Sequence, residues 1–122
     1  MIGSLMMRVS AVILVAGMLA GIDMGIRQDF LLAPAHAHLN LVGGVLLFLF
    51  GLYYRLIPEA GMTTLAKVQG WLHIVGAIIF PVGVAVVLLE GPSFVLAPII
   101  GSLVVLVAMV LFMVIVFRTS RA

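Results

Sequence analysis

Apolar residues run along this chain in four long stretches, each closed off by a charge. Between Arg8 and Asp23 lie 14 uncharged residues, between Asp29 and Arg55 lie 25, between Lys67 and Glu90 lie 22, and between Glu90 and Arg118 lie 27. A helix crossing the hydrocarbon core takes about 20 mostly apolar residues. The last three stretches meet that length outright. The first meets it by running from near Leu5 to near Gly25, with Asp23 at headgroup level in the last turn and paired to Arg27 at i,i+4. The pattern predicts transmembrane helices at about 5–26, 33–57, 65–89 and 93–117. The expected fold is all-α and polytopic, a single four-helix domain over residues 1–122.

Composition narrows this further. The chain is 66% hydrophobic and 8% charged, with a mean hydropathy of +1.44, whereas a soluble domain is about one quarter charged. Ten charges cannot coat a water-soluble globule of 122 residues, and a net charge of +2 makes no basic stripe for nucleic acid. Cysteine is absent, which excludes disulfides and thiolate chemistry. Four spans put both termini on one side, together with Arg8, Arg55, Lys67, Arg118 and Arg121, against Arg27 alone on the other. That bias predicts cytoplasmic termini in a bacterial-type inner membrane. The basic start and Ala33-Pro34-Ala35 also have the look of a leader with a processing site, but the expectation is a retained first helix. Gly17, Gly21 and Gly25 form a small-residue stripe for helix packing. Pro81 and Pro98 are expected to bend helices three and four, and Tyr53, Tyr54 and Arg55 to form an interfacial belt.

Polar side chains within the spans are few, and ionisable ones in a membrane are costly enough to count as functional candidates. They are His36, His38, Asn40, Gln69 and His73. In a helix, His36 and His38 lie about 200° apart and face different neighbours, which suits two large planar cofactors flanking one helix. In an extended segment both rings fall on one side, and a copper or zinc chelate results. Pro34 at a helix start favours the helical case. Beneath His36, the face with Asn40, Gly43 and Gly44 leaves room for something flat or for another helix. His73, rising from the opposite end, is too deep to share a metal with His36 and His38. It is a separate ligand, a hydrogen-bond partner, or a satisfied buried residue. No Ser-His-Asp set, phosphate loop, paired carboxylate or His-Glu-x-x-His occurs, and the absence of a central carboxylate argues against a small multidrug-type transporter.

His36-Ala37-His38, Gly43-Gly44, the run ending Phe50-Gly51-Leu52-Tyr53-Tyr54 and then Leu56-Ile57-Pro58 resemble helix ten of the haem-copper oxidase catalytic subunit, most closely in cbb-type oxidases and nitric oxide reductases. Gln69-Gly70-Trp71-Leu72-His73 is similar to the start of the following helix in that family. The resemblance covers about residues 33–85. It implies that His36 and His38 each offer an axial nitrogen to a different b-type haem, one of which would lie over the Asn40, Gly43 and Gly44 face if that face holds something flat. The family's copper ligands lie on earlier helices without counterpart here, so no complete oxygen-reducing centre is implied within one chain. The family subunit is built of three four-helix arcs, and a four-helix chain corresponds to one. The resemblance therefore implies a homotrimer with haem at its interfaces, acting in electron transfer or in NO or O₂ binding, with a respiratory redox partner. The competing expectation is a copper- or zinc-binding protein, with His73 as a further candidate ligand, or a colourless accessory subunit of a respiratory oxidase.

Overall fold

The computed structural model describes residues 1–119. Arg121, one of the orientation charges, lies outside the described residues. Four helices are long and apolar enough to cross a membrane: α1 (Ile2–Arg27), α2 (Ala33–Leu56), α3 (Thr64–Glu90) and α4 (Leu96–Thr119). Among the described residues there is no strand. The boundaries expected from the charges hold to within a few residues, because a charge cannot enter the hydrocarbon core cheaply.

Local chemistry sets each break. Gln28 takes a left-handed conformation after α1, and Pro34 sits in the first turn of α2, where its missing N–H is not needed. Ile57 leaves the helical region ahead of Pro58, with φ −124° and ψ 79°, since proline disfavours a helical residue before it, and Pro58–Gly61 forms one helical turn. Thr63 then caps α3, its hydroxyl accepting from the Ala66 N–H at 3.1 Å. Gly91, with φ +102°, ends α3 in a conformation that L side chains rarely adopt. A 3₁₀ turn at Pro92–Phe94 leads into α4. Pro98 was expected to bend this helix but lies in its first turn, where a missing N–H breaks no ladder bond. Pro81 does lie inside a continuous α3.

Glycines set the packing. Gly3 and Gly51 bring α1 and α2 into backbone contact. Ile2 and Met6 of α1 fill the space over Gly70 of α3. The tight 90–92 connection makes α3 and α4 antiparallel neighbours with the most extensive contact in the bundle. At that contact, a Cβ on Gly83 would lie 2.6 Å from the Pro98 nitrogen, and one on Gly101 would lie 2.6 Å from the Phe80 Cα. The apolar core gathers Met6, Leu47, Phe50 and Tyr54 under Ile115. Many large apolar side chains elsewhere stay exposed, among them Val12, Ile22, Leu49, Val82 and Leu106, as expected of helices solvated by lipid.

The charges sort by end. Arg55 donates to the Ser4 hydroxyl at 2.7 Å, Arg8 and Lys67 line one groove, and Arg118 lines another beside Glu59. At the other end, Arg27 pairs with Asp23 at 2.6 Å, the i,i+4 bridge expected from the sequence.

Tyr54 departs from the expected belt. It is completely buried, and its hydroxyl donates to Gln69 Oε1 at 2.8 Å, while Gln69 Nε2 donates to the Ala108 carbonyl at 3.2 Å. Residues from α2, α3 and α4 are thus joined by two buried hydrogen bonds. Tyr53 stays half-buried against Phe112, and Arg55 is exposed.

Candidate histidine site

The first turns of α2 decide where the two candidate imidazoles point. Residues Ala33–His38 are α-helical, so the extended arrangement that puts both rings on one side does not occur. His36 faces α1: its Cε1 would lie 3.1 Å from a Cβ on Gly21. His38 faces α3, with its ring edge-on to Phe80 at a centroid distance of 4.7 Å. The two histidines therefore sit on different flanks of one helix and cannot hold the same ion.

Their hydrogen bonds differ in kind. The His38 Nδ1 lies 2.7 Å from the Pro34 carbonyl. A carbonyl only accepts, so Nδ1 carries the proton and the neutral ring keeps its lone pair on Nε2. This is the arrangement by which metal-bound histidines are usually oriented and made more basic. His36 is tied to its own helix instead: the Asn40 amide donates to its Nε2 at 3.1 Å. Asn40 fills the space that a Cβ on Gly17 would take, and its Oδ1 is buried without a partner.

The α1 stripe is explained by these contacts. Gly17 makes room for Asn40 and Gly21 for His36, whereas nothing approaches Gly25. Gly43 and Gly44 likewise accommodate α1, through Ile13 and Leu14, with the Ala77 carbonyl of α3 also beside Gly43. Of the two uses expected for this small-residue face, room for a flat group or for another helix, the second describes its occupancy within the chain.

His36 also lines a groove of about 250 Å³ between α1, α2 and α3, with Met24, Arg27, Leu39, Pro81 and Val82. Pockets that enclose a drug-sized ligand span roughly 300–1,000 Å³, so this groove alone is too small to enclose a large planar group. An imidazole nitrogen and an apolar lining are what a haem requires, while the Arg27 guanidinium at the rim is already paired with Asp23, which lines the same groove. By donor set the site fits. His38 presents its lone pair directly, while ligation by His36 Nε2 requires the Asn40 amide to turn aside.

His73 is not part of this cluster. It is completely buried on α3, its Nε2 donating to the Val42 carbonyl at 3.0 Å and its ring edge-on to Phe50 at 4.8 Å. Val42 lies in a π-helical segment of α2, Leu39–Leu46. Such segments recur at functional sites. Gln69 is not the partner of His73; it belongs to Tyr54 and Ala108. The His73 Nδ1 is buried without a partner. Among the described residues no group of three or more histidine, cysteine or acidic side chains could hold a metal ion together. Sequence reasoning missed the π segment and the Val42 carbonyl as the acceptor for His73, neither of which has a residue signature.

No family model, curated protein or solved structure matches the chain. The reading of function therefore rests on the site.

Proposed function

We propose that this integral membrane protein binds b-type haem through His36 and His38 at interfaces between copies of itself, and acts in electron transfer or in binding NO or O₂. The observation that carries the proposal is the His38 pair: a ring proton fixed on the Pro34 carbonyl and a lone pair on Nε2 aimed away from it. His36 on the opposite flank provides the second nitrogen. The small groove beside His36 supports assembly, since a second copy supplies the walls that one chain lacks. A closed homotrimer satisfies this with one heterologous interface repeated three times.

When bound, haem would supply one-electron exchange or the binding of a diatomic gas. The chain's own residues orient and tune. Pro34 holds the His38 tautomer, Phe80 fixes the ring plane, and Arg27 sets a positive charge at the groove mouth, now balanced by Asp23. The surrounding apolar side chains exclude water.

Expression with adequate haem supply, followed by oxidised and reduced absorption spectra, tests the proposal. A six-coordinate haem spectrum that His38→Ala abolishes with His36 intact is expected. Colourless protein containing stoichiometric copper or zinc refutes it.

A further inference from the structure

Away from the histidines, at the basic end of the bundle, α1 and α3 enclose a groove of about 580 Å³ lined by Ser4, Leu5, Arg8, Lys67 and Trp71. Arg8 and Lys67 come from different helices, and no acidic side chain lines the groove. Among the described residues neither takes part in a salt bridge. Arg55 adds a third cation at the rim through its bond to the Ser4 hydroxyl. Two unneutralised cations beside a hydroxyl form a recognition surface for a phosphate, which arginine can bind with two parallel N–H bonds. Trp71, 55% exposed, stands where indoles sit at the headgroup level.

Apolar surface continues along α1 beyond the groove. One turn further along α1, Ala11, Val12, Val15, Ala16 and Leu19 line an apolar trough of about 430 Å³. They follow Arg8 at helical spacing, so charge and trough share one face. On α3, Trp71 leads at the same spacing to Val75, Ile78 and Val82, all exposed. From Arg8 to Leu19 the rise is about 16 Å at 1.5 Å per residue. The trough thus runs along most of the apolar stretch between Arg8 and Asp23, a surface long enough to carry an acyl chain.

We propose that this groove is a binding site for an anionic phospholipid, its phosphate held by Arg8, Lys67 and the Ser4 hydroxyl and an acyl chain lying in the α1 trough. A free phosphate has the same headgroup chemistry but no use for the trough, and the apolar trough on the face that follows Arg8 selects the lipid.

The single tryptophan lines the site and reports on it. Protein in neutral detergent is titrated with phosphatidylglycerol or phosphatidylcholine carrying brominated acyl chains, which quench Trp71 on contact. Phosphatidylglycerol is expected to quench at lower concentration, and Arg8→Gln with Lys67→Gln to weaken it about 30-fold, each basic group near an anionic headgroup being worth about fivefold. Arg118→Gln, at a separate groove, leaves the titration unchanged. Ala16→Trp, which fills the trough and keeps the charges, also weakens binding. Its new indole is kept out of the readout by following lipid retained per chain. Equal quenching by the two lipids, full binding by the double variant with native helicity, or displacement by millimolar inorganic phosphate overturns the proposal. So does disulfide cross-linking between copies through Ala16→Cys, which would seat a second chain on the face.

Discussion

Replacing Tyr54 by phenylalanine removes one oxygen and keeps the ring packed near Phe112. The lost hydroxyl is the donor to Gln69 Oε1, and both residues are completely buried. Leaving a buried acceptor unpaired costs about 1–3 kcal/mol in water-soluble proteins. Side-chain hydrogen bonds within a bilayer are worth less, averaging ~0.6 kcal/mol with a maximum near 1.7, because a chain unfolded in lipid also finds partners. Gln69 sits between α2 and α4, and its amide nitrogen is already committed to the Ala108 carbonyl, so rotation to recover a partner forfeits that bond. The expected loss is therefore at the upper end of the membrane range, about 1–1.5 kcal/mol or close to tenfold in the unfolding equilibrium. Gln69→Leu is expected to cost a similar amount, since it orphans the Tyr54 hydroxyl and the Ala108 carbonyl. The double variant is expected to cost less than the two losses added, because the two groups share one bond. Reversible unfolding in mixed micelles with rising dodecyl sulfate, followed by helicity, measures all three. Two neutral single variants would return Tyr54 to the interface and refute the buried connection.

Further outcomes follow from single contacts. Gly21→Leu drives a side chain into the His36 ring, so it should destabilise by about 1–3 kcal/mol and displace His36, visible as a changed ring environment by NMR. Thr63→Ala removes the side-chain cap of α3 and is expected to cost about 1 kcal/mol, measured by the same unfolding assay. Asp23→Asn breaks an exposed bridge, and a change beyond about 1 kcal/mol would contradict its assignment to the wet end of α1.

The spans were legible because ten charges in 122 residues act as boundaries, and among the described residues all but Arg8 lie at or within about a turn of a helix end. What faces what was far less legible. Helices apolar on every side carry no stripe to separate core from lipid, so Tyr54 had the look of a belt residue beside Tyr53 and Arg55. Its burial becomes apparent only when α3 brings Gln69 opposite it, 15 residues away. The opposed flanks of His36 and His38 followed from helical phase alone, once Pro34 favoured a helix start. The two partners that distinguish them, the Pro34 carbonyl and the Asn40 amide, lie four residues away in each case. Spacing made both contacts available but could not say which ring nitrogen each would engage. The glycine stripe was legible as a packing face, but its occupants were not. Asn40 and His36 are polar, and composition offers no reason to place them against Gly17 and Gly21.

The central claim is that His36 and His38 ligate haem from opposite flanks of α2 where copies meet. The most direct measurement is the haem-to-chain ratio of the purified assembly, by pyridine haemochrome, together with its mass in detergent, for wild type, His36→Ala and His38→Ala. The account predicts up to one haem per chain in a three-chain assembly, with either substitution removing the six-coordinate spectrum. A haem-free assembly from haem-replete cells, or full haem content in both variants, would contradict it.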